Sequence, residues 1–322
     1  MKPEPKRYIG LDIGGTKCAV VLGDETGTVM KKVSFPTGEV TGTLARLLDE
    51  TEAMRKASDA PVRSVGISCG GPLDPERGII QSPPNLPGWD DIGIVRMIKE
   101  KTGLDAVLTN DANACALAEW RFGAGRGCRN MIFLTFGTGM GAGIISEGRL
   151  INGANGNAGE IGHVRLEPDG PVGYGKAGSV EGFASGGGIA QLGKSVALER
   201  FREGKSTVYC PTPDDLRSVT AKSVAEAAGQ GDETAIAVYR RAGEMLGRTL
   251  SILVDILNPE RIVIGSIFRR ASSLLTEEME RVMKEECLPA ALAAVKVLPA
   301  ELGEEIGDRA ALSLAITADK TE

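Results

Sequence analysis

The sequence predicts an α/β protein of about two domains, on three observations. Its 322 residues exceed what a single hydrophobic core ordinarily serves. Short β-branched and aliphatic runs alternate along the chain with stretches of helical periodicity. A strand, glycine turn and strand near the start (residues 8–13, Gly14-Gly15-Thr16-Lys17, residues 18–22) return later as residues 132–136, Gly137-Thr138-Gly139-Met140-Gly141 and residues 142–145. Each copy ends in an acidic-glycine turn, so the pair reads as an internal duplication.

Composition narrows the class. Hydrophobic residues make up 42% and charged residues 25%, as in ordinary globular proteins. The formal net charge is −6 with no basic block, which argues against a nucleic-acid partner. The six cysteines are scattered, without the close spacing of a cysteine zinc site or a secreted disulfide framework. No apolar run is long enough for a membrane span or a secretory leader, so the expected compartment is a reducing cytoplasm.

Between the hairpins, residues 43–56 carry Leu44, Leu47, Leu48 and Met54 at helical spacing, and residues 64–68 form a buried strand entering Cys69-Gly70-Gly71-Pro72. Residues 82–89, SPPNLPGW, hold too many prolines for a helix or central strand. They form either a rigid loop presenting Asn85 or a plain connection. A helix over 92–101 stops at Gly103, and a strand over 106–109 delivers Asn110-Asp111 to the next helix. Beyond the second hairpin, helices are expected over 186–202, 221–228 and 233–257, with a polar loop at 206–217. Asn258-Pro259 ends the longest helix, and a strand over 261–264 runs into Gly265-Ser266. Residues 277–286 read as the solvated face of a helix. A last helix over 308–316 is expected to pack back on the first domain.

Neither glycine turn opens a helix, so neither is a Rossmann fingerprint nor a Walker A loop. Two such turns in matching contexts suit close approach of backbone amides to phosphate oxygens. Asn110-Asp111 is either a helix cap or a carboxylate, held ionised by the helix dipole, that takes a proton from a substrate hydroxyl. Asp12, at the end of an apolar strand, either bonds its own turn or serves Mg²⁺ directly or through water. Glu160, His163 and Glu181 are either structural or a set of groups that pair with sugar hydroxyls. One histidine without cysteine partners makes no zinc site.

The ordered set DIGGTK, the GGP turn, PNLPGW, NDANAC–LAEW, FGTGMGAGII, AGEIGH and SVEGFASG resembles the ROK family of sugar kinases and sugar-responsive repressors over nearly the whole chain. The resemblance implies an actin-like, ribonuclease-H-type two-lobed sugar kinase fold, with lobes at residues 1–112 plus 304–322 and at 113–303, around a cleft. It implies transfer of the γ-phosphoryl of ATP to a hexose or N-acetylhexosamine, usually at the 6-hydroxyl, in a homodimer. Asp111 would be the base, while Gly71, Asn85, Asn110, Glu160, His163 and Glu181 would contact or lie near the sugar. Gly14, Gly15, Thr16, Lys17, Gly137, Thr138 and Gly139 would hold phosphates, Gly265 would lie by the adenosine, and Asp12 would serve Mg²⁺.

The chain departs from the family pattern in three places. The CxCGxxGCxE zinc motif is replaced by VGYGKAGSVE, so no zinc is expected, and residues 171–179 are expected to be held by backbone hydrogen bonds and packing of Tyr174. Gly70 stands where the family has proline, and Ser266 follows Gly265 in place of a second glycine. About seven residues precede the first strand, too few for the helix-turn-helix of a family repressor. The alternative to a kinase is a non-catalytic sugar-binding regulator.

Overall fold

The structure, a computed structural model, describes residues 4–319. Of these, 4–129, 143–158 and 301–319 gather into one unit, and 130–142 and 159–300 into a second. The outermost residues of the expected first lobe, 1–3 and 320–322, lie outside the described residues.

The first hairpin is β1 (Arg7–Ile13) and β2 (Lys17–Asp24), followed by β3 (Val29–Pro36) and α1 (Val40–Lys56). No element was expected at β3. Met30, Lys31 and Lys32 are exposed there, because an edge strand is held by its backbone pairing and needs no apolar repeat. Next come β4 (Val62–Cys69), the two-residue strands β5 (Leu73–Asp74) and β6 (Ile79–Ile80), α2 (Ile94–Thr102), β7 (Ala106–Asn110) and α3 (Asp111–Phe122). The α2 helix starts later than expected because Ile92 exchanges backbone hydrogen bonds with Ile80. It ends where expected, Gly103 taking a left-handed φ of 73° and donating its N–H to the Lys99 carbonyl.

The chain continues through β8 (Met131–Phe136), β9 (Met140–Ser146) and β10 (Arg149–Leu150), then the short ribbon β11 (Val172–Gly173) and β12 (Lys176–Ala177). Helices α4 (Val180–Phe183), α5 (Gly186–Arg202), α6 (Ala221–Gly229) and α7 (Glu233–Leu257) follow. Asp232 caps α7 by accepting the amides of Thr234 and Ala235, and Asn258, at φ 42°, ends it. Then come β13 (Arg261–Ile264), α8 (Ile267–Glu286), α9 (Pro289–Ala294), β14 (Lys296–Pro299) and α10 (Ile306–Asp319). Residues 277–286 lie in α8 and are not wholly solvated, since Met279, Val282 and Met283 are buried.

The two five-stranded sheets share one plan. Their orders are β3-β2-β1-β4-β7 and β10-β9-β8-β13-β14, so in each the first three strands run outward from the centre and two later strands complete the other side. In the first, β1 pairs antiparallel with β2 and parallel with β4, and β4 parallel with β7. In the second, β13 is parallel to both β8 and β14. The repeat legible in the hairpins therefore extends to the whole sheet.

Strand alternation sorts β1 between two packed faces. Ile9, Leu11 and Ile13 join Leu47, Met54, Ile94 and Ile98 in the larger core, while Tyr8 packs with Leu312, Ala315 and Ile316 of α10. The last helix thus returns to the first unit, as expected. The fully buried Glu119 fastens that return to α3 by accepting the amides of Ala124, Glu301 and Leu302 at 2.8, 3.2 and 2.9 Å. Replacing Glu119 with Ala would leave three amides without their acceptor. Urea unfolding of that variant is expected to show a loss of about 3 kcal/mol, and a loss within about 0.5 kcal/mol, the level of an ordinary surface substitution, would show that the carboxylate is not the fastening.

Candidate active site

In the first unit, register brings the acidic residues to one edge of the sheet. Asp12 pairs opposite Ser68, Ser68 opposite Thr109, and Cys69 opposite Asn110. The carboxyl ends of three adjacent parallel strands therefore carry Asp12, the Gly70-Gly71 turn and Asn110-Asp111. The ends of such strands are where α/β sheets bind ligands.

Asp12 lies on the face that α10 covers, and a side chain at Gly307, in the first turn of α10, would stand 2.7 Å from Asp12 Oδ2. On the next residue of α10, Asp308 pairs with Lys32 at 2.6 Å. The Asp12 carboxyl is pushed up to about 6, first by burial and then by the negative charges of Asp308 and Asp111, against the pull of Lys17 and Lys32. Asn110 caps α3 by accepting the Asn113 N–H at 2.8 Å. Asp111 keeps access to solvent on one side, yet the surrounding protein raises its pKa, opposed by a hydrogen bond from the Ala112 N–H. Desolvation by the protein around the carboxyl outweighs the helix-start amide, which makes Asp111 a stronger base than an ordinary aspartate. The helix-start amide acts in the opposite direction, toward the ionised form.

The Gly14–Lys17 turn is closed by the Gly14 N–H on the Lys17 carbonyl, and Thr37 braces it through the carbonyls of Gly14 and Thr16. Gly15, Thr16 and Lys17 are exposed. A Cβ on Gly15 would lie 2.3 Å from the Asn85 carbonyl oxygen, so only glycine fits where the 82–89 loop meets the turn. Buried Leu86 and Trp89 anchor that loop and leave Asn85 exposed, its amide 3.4 Å from where a Gly70 side chain would begin. Gly71 is exposed beside it.

In the second unit, Gly137-Thr138-Gly139 joins β8 to β9. Glu181 packs against this turn, accepting the Met140 N–H at 3.0 Å, and a Gly139 Cβ would meet its carboxylate at 2.6 Å. Glu160 is exposed at the start of a single 3-10 turn, and its carbonyl accepts the His163 N–H. Gly265 follows β13, its N–H donating to the Leu134 carbonyl. Two neighbours of this turn were not anticipated. The Gly186 N–H donates to the Gly137 carbonyl at 2.8 Å, and Ser266 Oγ stands 3.8 Å from where a Gly137 side chain would begin. The run Ser185-Gly186-Gly187-Gly188 was the available signal for the first; it caps α5 through Ser185.

Residues 171–179 are held largely by backbone bonds: the β11–β12 pairing, the Gly178 N–H to Pro171, and the Leu166 and Glu167 N–H groups to Gly178. Tyr174 does not pack inside, being 66% exposed with its ring edge-on to His163. Glu167 adds ion pairs to Arg241 and Arg248 of α7 at 3.2 and 3.0 Å. No group of three metal-ligating His, Cys, Asp or Glu side chains occurs among the described residues.

The profile of the ROK family matches residues 8–318. The glucokinase of Halalkalibacterium halodurans is 33% identical over 308 residues, covering 93% of this chain and 92% of that protein. A ROK family glucokinase from Streptomyces griseus, solved in complex with glucose and AMPPNP, is 30% identical with a TM-score of 0.74, over 97% of this chain and 99% of that one. A ROK family transcriptional regulator, a homologue of the E. coli MLC protein, is 26% identical with a TM-score of 0.84, over 98% of this chain and 78% of that one.

Asp12 is harder to ionise in the folded chain than in the unfolded one, so the folded state holds more protons between the usual aspartate range near 3.8 and about 6. Stability therefore falls as pH rises through that window. Asp12→Asn is expected to melt a few degrees higher than the unsubstituted protein at pH 7 to 8, with the gain vanishing below pH about 4. Thermal melts across pH check this; a gain of equal size at every pH would contradict the electrostatic cause.

Proposed function

The chain belongs to the ROK family, and on that premise we propose that it is an ATP-dependent sugar kinase acting on the 6-hydroxyl of a hexose or N-acetylhexosamine. The observation that carries the reading is the strand register that sets Asp12 and Asp111 at one sheet edge. Similarity to glucokinases over almost the whole chain, one of them solved with glucose and the ATP analogue AMPPNP, supports it.

Asp111 accepts the proton of the sugar hydroxyl as that oxygen attacks the γ-phosphorus, and its raised pKa suits it to the transfer. The Asn110 side-chain oxygen is committed to the helix cap, which leaves its NH₂ group to donate to a sugar oxygen. Glu160 and His163, with the Glu181 oxygen not bonded to Met140, pair with further hydroxyls, and Gly71 and Asn85 border the sugar. Amides of Gly14, Gly15 and Thr16, with Lys17, and those of Gly137, Thr138 and Gly139 receive phosphates, and Gly265 lies by the adenosine. Asp12 fits Mg²⁺ held largely by water and phosphate, since one carboxylate suffices for that ion and a cation there would relieve the negative charges of Asp308 and Asp111 around it. Bound there, the ion neutralises phosphate charge. The cytoplasmic location rests on the scattered cysteines of the sequence, and the homodimeric state on the family resemblance. No helix among the described residues is long and apolar enough to cross a membrane.

Similarity to a transcriptional regulator of the family supports a second reading, a sugar-binding regulator without catalysis. ADP release from Mg-ATP over glucose, mannose, fructose, N-acetylglucosamine and N-acetylmannosamine separates the two. Sugar-dependent turnover is expected, and Asp111→Asn is expected to lower kcat at least ~100-fold with the sugar KM little changed. Sugar binding without turnover would favour the regulator, and near-full turnover in the variant would remove Asp111 as the base.

A further inference from the structure

The β11–β12 ribbon is built in an unusual way at its tip. Gly173 pairs with Lys176, so the loop has two residues, Tyr174 and Gly175, with φ of 45° and 76°. A two-residue hairpin with both central residues at positive φ is the type I′ arrangement, which favours Asn, Asp or Gly. A bulky aromatic residue held there is strained by roughly 1–3 kcal/mol. The strain brings no burial in return, since Tyr174 is 66% exposed.

The tyrosine does meet one partner. Its ring stands edge-on to the imidazole of His163, with centroids 5.0 Å apart and planes at 79°. The same ribbon also reaches the backbone of that histidine, Lys176 Nζ donating to the His163 carbonyl at 2.7 Å. At its base the ribbon is tied to α5 by Gln191, whose side-chain amide bonds both the N–H and the carbonyl of Val172, at 3.0 and 2.9 Å. Gln191 thus ties the ribbon to α5, Lys176 bonds the histidine carbonyl, and the Tyr174 ring lies against the imidazole.

We infer that Tyr174 is a positioning residue, holding the His163 ring in the orientation that pairs with a hydroxyl of the bound carbohydrate. The inference rests on the sugar-contacting role proposed for His163. A strained, exposed aromatic serves no core, and backbone strain of this kind persists where the surrounding structure over-determines it, as the ribbon pairing, Gln191 and Lys176 do here. An edge-on ring contact has a preferred geometry, so it restrains an imidazole more than a methyl-bearing side chain would.

His163 is the only histidine of the chain, so its imidazole resonances can be assigned without ambiguity. Two variants are compared with the unsubstituted protein: Tyr174→Asn, which suits the turn and removes the ring, and Tyr174→Phe, which keeps the ring. Both are expected to melt at or above the temperature of the unsubstituted chain. In sugar-free protein, Tyr174→Asn is expected to shift the His163 ring resonances and Tyr174→Phe to leave them nearly in place. Titration with the sugar that supports turnover, or failing turnover with each sugar of the panel, is followed on those resonances. It is expected to show affinity weakened about tenfold in Tyr174→Asn and unchanged in Tyr174→Phe, with the KM for ATP unaltered. Unmoved resonances, or shifted resonances with unchanged sugar affinity, would overturn the inference. A sugar that binds without disturbing His163 in the unsubstituted protein would overturn it together with the histidine's sugar role, leaving Asp111 and the kinase reading standing. Absent turnover with intact sugar titration would instead sink the kinase reading alone.

Discussion

Parallel pairing of β1, β4 and β7 is the constraint on which the first unit's chemistry depends. Because these strands run in the same direction and in register, their last residues come side by side, and the charge of Asp111, from a distant part of the sequence, acts on the Asp12 carboxyl. A one-residue slip of β1 would turn Asp12 into the larger core and Ile13 toward α10. The buried residues Ile9, Leu11 and Ile13 therefore guard the acidic edge as much as they stabilise the sheet.

That arrangement has a stability cost. Like charges at Asp12, Asp111 and Asp308, in partly desolvated surroundings, disfavour ionisation, and Lys17 and Lys32 only partly offset the effect. A pairing chosen for stability alone would place a cation directly on Asp12. A carboxylate left to charge neighbours at a distance suits the hydrated cation and phosphates proposed for this edge.

The second unit uses different means. Around Gly137-Thr138-Gly139 the anchoring groups are polar: Glu181 on the Met140 amide and the Gly186 amide on Gly137. The segment between His163 and Glu181 is likewise fastened by backbone bonds, Lys176, Gln191 and the Glu167 ion pairs. Such contacts have directional geometry, so they hold exposed side chains in place where little apolar surface is available to bury.

Elements whose cause is local were legible in the chain. The helix over 233–257 shows in its three- and four-residue apolar steps and its Asn258-Pro259 stop, and the hairpins show in their alternation and glycine turns. Asn110-Asp111 announced itself as a strand-to-helix junction, and family membership followed from ordered motifs, fixing the actin-like, ribonuclease-H-type fold. What the chain by itself did not disclose are contacts between residues far apart in it: Lys32 with Asp308, Glu119 with the amides at 301 and 302, and Tyr174 with His163. β3 escaped notice because edge pairing leaves no apolar pattern. The direction of the Asp111 pKa also waited on the tertiary structure, because burial is a property of everything packed around a group, whereas propensity and capping belong to its immediate neighbours.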